Sequence, residues 1–505
     1  MKEHRAGEHV LHPNCLDWGV GRVLRARPDG VVTVDFRRGG IRVLHMGKVS
    51  FELQRVEGQA PPPAPVSHGD ADEALYAGLA ADQRAAVEAV VRRKERLVLI
   101  SGAAGTGKSH VIHRITDAQT LVVAPTGLAA CNVNGTTIHR AFGIPIGVVQ
   151  ASALRAVRSD EAAVLKRIER LVLDEVSMAR ADIIDALDHR LRTVRRCEAP
   201  FGGVQVVLVG DPYQLPPVVT VKDQPLLEHL GYRTAYFFSA RVLKENPPRH
   251  YELRVQHRQK DDADFLEILN RVRGGCHTSG DLVSLNQRVL GTPQSAVILS
   301  ARNGQVDRIN AGKLAALPGP GEVFHATENN WRDREKPADE ALVLRKRARV
   351  VLLRNDPSGQ WVNGSQGTVM SWTSDAVKVK LDGAGVVSVE RSRWELEEPY
   401  IDEETEEIRY RTVGSFVQFP LRLGWALTIH RSQGMTLQSV AIDLGRGSFA
   451  RGQTYVALSR VRRVEDMVLE NPLKDSDIRA DGVVQAYFAW LDRQDRAATG
   501  EGFPS

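Results

Sequence analysis

Apolar positions along the chain follow two different patterns on either side of a proline-rich stretch. Over the first 57 residues, short β-rich runs alternate with turn signals: GVGRVLRA, Pro28-Asp29-Gly30, VVTVDF, Gly39-Gly40 and IRVLHM. This predicts a small antiparallel β-barrel over 1–57. Residues 58–72, GQAPPPAPVSHGDAD, lack the apolar content for a core, and their prolines favour an extended linker.

After the linker, continuous Val/Ile/Leu runs recur between longer helical patterns: RLVLIS (96–101), TLVVAP (120–125), RLVLDE (170–175), VQVVLVGD (204–211), AVILSA (296–301) and SVAIDLG (439–445). Such runs mark parallel strands buried on both faces, so the bulk of the chain is predicted to be α/β. Between 342 and 412 the pattern changes to alternating strands with close turns, which predicts a second small β-barrel inserted into the α/β part.

Composition narrows the function classes without naming one. The 505 residues are 42% apolar and 26% charged, as in ordinary globular proteins, and argue for several domains. The 67 Lys and Arg against 62 Asp and Glu leave only +5. Residues 1–57 hold 10 basic and 7 acidic side chains, so +3 of that excess sits there. Net charge therefore gives no argument for nucleic-acid binding. Cys15, Cys131, Cys197 and Cys276 are too dispersed for zinc-finger spacing and too few for a disulfide framework, which predicts reduced thiols. No apolar run reaches the length of a membrane span, and the charged start MKEHRAGEHV does not resemble a signal peptide. The expectation is a cytoplasmic protein with no membrane partner.

Specific chemistry enters with Gly102-Ala103-Ala104-Gly105-Thr106-Gly107-Lys108-Ser109, which fits G-x-x-x-x-G-K-[ST] directly after a predicted strand. Glycines let backbone N–H groups turn toward phosphate, Lys108 supplies a point charge, and Ser109 suits Mg²⁺. Asp174 and Glu175 end another buried strand, where an α/β sheet presents ligands. Asp174 fits a Mg²⁺ role through water, and Glu175 fits polarisation of an attacking water. A third strand ends in Gly210-Asp211-Pro212-Tyr213-Gln214, whose glutamine is suited to bonding both a γ-phosphate and a water. ATP and Mg²⁺ are the expected ligands.

The ordered motifs GAAGTGKS, APTGLAA, TTIHRAFG, LVLDEVSM, GDPYQLPPV, LRVQHRQKDDADFLEILNRVRGG, ALTIHRSQGMTL and GQTYVALSRVR resemble superfamily 1B helicases, most closely the Pif-one (petite integration frequency) family. The resemblance covers about 73–473. It implies two RecA-like domains closing on ATP, with 5′→3′ movement on single-stranded DNA and unwinding of duplex or fork DNA in replication, recombination or repair. The implied partition is domain 1A over 73–245 with a short insertion near 142–167, domain 2A over 246–341 and, with a C-terminal tail, 413–505, and an SH3-like domain over 342–412. Gln83 resembles the family's adenine-recognising glutamine. Arg258 and Arg460 match the two arginines that the second domain presents to the γ-phosphate. The resemblance also implies single-strand contacts from Pro125, Thr126, His139, Phe142, Asn303, His430, Ser432 and Gln433, with His and Phe faces stacking bases and polar groups holding phosphates. Position 431 is Arg where the family commonly carries Lys.

The first module resembles Tudor- or CarD-like domains, which implies a nucleic-acid or protein partner. A competing reading is a nucleotide-switched binding protein without strand separation. The combination of Glu175, Gln214, Arg258 and Arg460 favours turnover, because a pure switch does not need a full hydrolytic set.

Overall fold

A computed structural model describes residues 8–11, 21–26, 31–36, 40–45 and 54–55, and then 75–499 apart from 134, 146, 260, 292, 294–295, 332–335, 357–359, 402–407, 446 and 449. The chain divides into two units, Met1–Ala77 and Gly78–Ser505. The linker 58–72 lies outside the described residues.

In the first unit, β1 (His9–Leu11), β2 (Gly21–Ala26), β3 (Val31–Phe36), β4 (Gly40–His45) and β5 (Gln54–Arg55) form an antiparallel sheet in the order β4-β3-β2-β1-β5. Three of these strands coincide with the runs whose alternation predicted them. Among the described residues no pairing joins β4 to β5, so they do not show the closed barrel expected from the sequence.

The second unit is built on two parallel sheets. The first contains β6 (Leu97–Gly102), β7 (Thr120–Ala124), β8 (Thr136–Thr137), β9 (Arg170–Leu173), β10 (Gln205–Gly210) and β11 (Arg249–Leu253) in the order β11-β6-β10-β9-β7-β8. Val98, Leu99 and Ile100 are fully buried, as expected for a central strand covered by helices on both sides. Strand β11 was not legible as a buried run, because RHYEL sits at the sheet edge and its first four residues are only half-buried. It also moves a boundary. Residues 249–253 pair with β6 in the first sheet, whereas the sequence reading began the second domain at 246.

The second sheet joins β12 (Val297–Ser300) to three later strands. Between them the chain forms β13 (Glu322–His325), β14 (Thr327–Asn329), β15 (Ala341–Leu344), β16 (Arg349–Leu352), β17 (Gln366–Trp372), β18 (Ala376–Leu381), β19 (Val386–Glu390), β20 (Ser392–Ile401), β21 (Ile408–Gln418) and β22 (Leu421–Leu423). It then returns through β23 (Ala426–Thr428), β24 (Val440–Asp443) and β25 (Met467–Leu469) to complete the parallel order β23-β12-β24-β25.

Five of the inserted strands make an antiparallel sheet, β19-β18-β17-β16-β22, which also lacks a closing pair among the described residues. Its core includes Phe324, Phe419 and Leu421, outside the expected range 342–412. Glu395–Ile401 lie on β20, which pairs with β21 in a long ribbon.

The last helix, Gly482–Thr499, crosses back to the first sheet. Val484, Tyr487 and Leu491 join the core around Phe237 and Phe238, and the Tyr487 and Phe238 rings stack at 4.2 Å. The resemblance gives 413–505 to the second domain together with a C-terminal tail. Tertiary packing divides it between the first and second domains.

Candidate nucleotide and nucleic-acid site

The phosphate-loop sequence turns immediately after β6 and opens the helix Lys108–Ile115. Gly105 and Gly107 take φ of +90° and +81°, a region that favours glycine. A side chain would also collide with the site itself: a Cβ at Gly105 would lie 2.6 Å from Arg258 Cβ, and one at Gly107 would lie 2.4 Å from Gln83 Nε2. Gly102 and Ala103 offer carbonyls that accept from Lys108 Nζ at 2.9 and 3.0 Å. Desolvation lowers the Lys108 pKa, while Asp211, Glu175 and Asp174 oppose the shift. Gln83 is buried against this loop, donating through Nε2 to the Thr106 carbonyl at 3.0 Å.

Asp174 and Glu175 follow β9. Glu175 adopts a left-handed backbone with φ of +48°, and its N–H donates to Asp174 Oδ1 at 2.8 Å. Burial raises both carboxyl pKa values; the Glu175 charge raises Asp174 further and the Asp211 charge raises Glu175, while Lys108 pulls both down. Asp211, after β10, is fully buried and well bonded. It accepts from Arg273 Nη2 and Nε at 3.0 and 3.1 Å, from Gln214 Nε2 at 3.1 Å, and from the Tyr455 hydroxyl at 3.3 Å.

Arg258 lies in the connection after β11 and donates to the Ser459 carbonyl at 3.0 Å. Arg460 is fully buried. It donates to the carbonyls of Val456 at 2.7 Å, Ser432 at 3.1 Å and Met435 at 3.3 Å, and to Ser459 Oγ at 2.8 Å. Burial, reinforced by Arg258, pushes its pKa down to about 9. Gln83, Ala104, Gly105, Gly107, Lys108, Ser109, Glu175, Gln214, Arg258 and Arg460 all line one cavity of about 570 Å³.

Sequence reasoning missed His257, Arg273 and Tyr455 here. His257 borders the cavity, and its N–H donates to the Gly105 carbonyl at 3.0 Å. Arg273 stands within LEILNRVRGG, a quoted motif, but only the fold reveals that it spans to Asp211. The Ser109 hydroxyl and Asp174 carboxylate are oxygen donors suited to Mg²⁺, which commonly takes one or two protein ligands and completes its shell with phosphate and water. This small donor set fits even though no cluster of three or more His, Cys, Asp or Glu ligands occurs among the described residues.

The residues expected to contact a single strand separate into two groups. Pro125 and Thr126 follow β7, His139 follows β8, Asn303 follows β12 and His430 follows β23, so each lies just beyond the carboxyl end of a parallel strand. Asn303 and His430 are exposed, and the other three are partly exposed. Phe142 is different: it is 0% exposed and packed in the first core, so its ring has no face for a base. Ser432 is likewise buried, with its hydroxyl donating to the Ile429 carbonyl at 2.8 Å. Gln433 turns toward Glu175 and Gln214.

A second cavity, about 950 Å³, is lined by His139, Arg140, Arg155, Arg158 and Glu161, together with Asn330 and Val413. Its arginines were missed because they are dispersed in sequence and meet only in the folded chain.

Two parallel sheets with a phosphate loop on one and arginines converging on it define a nucleotide-binding α/β protein. A family model described as PIF1-like helicase matches residues 78–281, another described as a helicase matches 403–491, and one for a protein of unknown function matches 5–54. The human ATP-dependent DNA helicase PIF1 is 34% identical over 434 residues, covering 82% of this chain and 64% of its own length. The ATP-dependent DNA helicase Pif1 of Bdellovibrio bacteriovorus is 30% identical, covering 74% of this chain and 83% of its own. A crystal structure of Bacteroides sp. Pif1 in complex with ADP-AlF4 aligns with TM-score 0.75 and 31% identity, covering 84% of this chain and 98% of that one. The chain belongs to the PIF1-like helicase family.

Proposed function

We propose that the protein is an ATP-dependent DNA helicase that moves 5′→3′ on single-stranded DNA and unwinds duplex or forked DNA. The observation that carries this reading is the convergence of Lys108, Glu175, Gln214, Arg258 and Arg460 on one cavity. It is supported by the names of the relatives and by the nucleotide analogue in the Bacteroides complex.

In this reading, Gln83 contacts the adenine, the loop amides and Lys108 hold the phosphates, and Ser109 with Asp174 holds Mg²⁺. Bound Mg²⁺ supplies charge neutralisation at the phosphate oxygens. Glu175 accepts the proton of the attacking water, whose orientation depends on Gln214. Arg258 and Arg460 stabilise charge at the γ-phosphate when the groups around the cleft are correctly placed, which couples hydrolysis to domain movement. Pro125, Thr126, His139, Asn303 and His430 hold one DNA strand along the strand ends, and the arginines of the second cavity add phosphate contacts. Local grip of this kind suits a chain whose net charge is only +5.

The domain partition stated from sequence is retained with the two boundary changes described above. The N-terminal sheet is read as a Tudor- or CarD-like module for a nucleic-acid or protein partner, and the inserted sheet as SH3-like. A cytoplasmic location is the simplest setting; among the described residues no helix is long and apolar enough to cross a membrane.

The decisive experiment compares unwinding of duplexes carrying a 5′ or a 3′ single-stranded tail. Unwinding from the 5′ tail alone is expected. ATP hydrolysis indifferent to single-stranded DNA, with no unwinding of either substrate, would favour the nucleotide-switch alternative.

A further inference from the structure

Gln433 lies in the loop HRSQG, which follows β23 in the second sheet. Its side-chain Nε2 donates to Glu175 Oε2 at 3.2 Å and to Gln214 Oε1 at 3.3 Å. The direction of these bonds is fixed by the partners. Glu175 offers only acceptors, and Gln214 has already committed its own Nε2 to Asp211 at 3.1 Å, so its oxygen faces Gln433. One NH₂ group therefore uses both hydrogens on the two groups assigned to the attacking water.

The loop that delivers this amide is internally braced. Ser432 N–H donates to the Thr428 carbonyl at 3.0 Å and Met435 N–H to the Ser432 carbonyl at 3.0 Å. Arg460 bonds the carbonyls of Ser432 and Met435, which flank Gln433. His430 and Arg431 are exposed on the same short loop. A contact made at that exposed end and the amide at the inward end thus belong to one stiff segment.

We infer that Gln433 is a positioning residue for hydrolysis, holding Glu175 and Gln214 together from the second sheet, and not a DNA contact. The inference rests on the helicase reading of this site. It explains how occupancy of the His430–Arg431 loop reaches the water-activating pair without a ligand touching either group.

The test uses the full chain and Gln433→Met, which keeps similar bulk and removes both donors. ATP turnover is measured with and without oligo(dT), and binding of a fluorescent oligo(dT) is measured separately. We expect kcat at saturating DNA to fall about 100-fold, while KM for ATP and Kd for oligo(dT) change by less than about threefold. Gln433→Glu, which replaces the donor by an acceptor beside Glu175, is the second variant and is expected to lose at least as much. A double variant Gln214→Met/Gln433→Met should lose no more than Gln214→Met alone, because groups acting as a unit are non-additive.

Unchanged kcat, multiplicative losses in the double variant, or weakened oligo(dT) binding with kcat retained would each overturn the inference; the last result would restore Gln433 as a DNA contact. If wild-type hydrolysis does not respond to oligo(dT), the helicase reading fails instead, and DNA-free kcat of the variants then decides the role of Gln433.

Discussion

The hydroxyl of Tyr455 accepts from the Ala104 backbone N–H at 3.1 Å and donates to Asp211 at 3.3 Å, so a side chain from beside the second sheet bonds the phosphate loop of the first. Tyr455 stands on the helix Gln453–Leu458 and is 4% exposed. Tyr455→Phe keeps the ring and leaves the Ala104 N–H without this acceptor, while the Asp211 oxygen keeps its bond from Gln214. The expected result is a loss of about tenfold in kcat/KM for ATP, corresponding to ~1.4 kcal/mol for an unpaired buried polar group. Steady-state kinetics check this, and wild-type kcat/KM in the variant would show that the bridge carries no function.

Lys108→Ala removes the point charge from the loop. Turnover should fall by at least about 100-fold, and oligo(dT) binding should remain measurable by fluorescence anisotropy. Unwinding at the wild-type rate would refute the phosphate-site assignment.

Arg460→Ala should depress hydrolysis by about 10³-fold, with a much smaller change in nucleotide affinity. Because Arg460 also bonds three backbone carbonyls, thermal unfolding must be recorded beside the kinetics. Arg460→Lys retains charge without the planar fork and should not rescue the rate. Equal losses in binding and turnover would assign this arginine to structure alone.

Phe142→Ala distinguishes the packed phenyl ring from the stacking ring expected at the sequence level. Creating a cavity in the first core should cost about 3–5 kcal/mol in a urea unfolding experiment. A stable variant with selectively lost DNA affinity would contradict the buried placement.

Asp281 carries a pH-dependent part of the stability. Hydrogen bonds from Arg271 at 2.7 and 2.9 Å, with help from the Thr278 N–H, hold its carboxyl well below the ordinary carboxylate range. A depressed folded-state pKa stabilises the fold above the unfolded value of about 3.9, and the contribution is lost as pH falls below it. The stability gap between wild type and Asp281→Asn should therefore stay level from about pH 7 to 5 and narrow below about pH 4. A gap that widens on acidification would reverse the assigned sign.

Much of the local chemistry was legible because it is written in contiguous residues. A phosphate loop needs its glycines, lysine and serine at fixed spacing between strand and helix, and a buried parallel strand needs an uninterrupted apolar run; 102–109 and β6, β9 and β10 meet those conditions. Residues whose meaning depends on a distant partner were not legible in this way. Phe142 and His139 sit three positions apart in one motif, yet packing buries the first and leaves the second at a cavity.

The sequence by itself determined the α/β class, the phosphate loop, the acidic pair after β9 and the order of motifs, since these depend on periodicity and short spacing. Only the tertiary structure decided that β11 belongs to the first sheet, that the last helix returns to the first core, and that Gln433, Arg273 and Tyr455 reach Glu175, Gln214 and Asp211. The reason is physical: strand propensity and loop chemistry act over a few residues, whereas edge pairing, helix docking and bonds between the sheets are set by which surfaces meet when the whole chain closes.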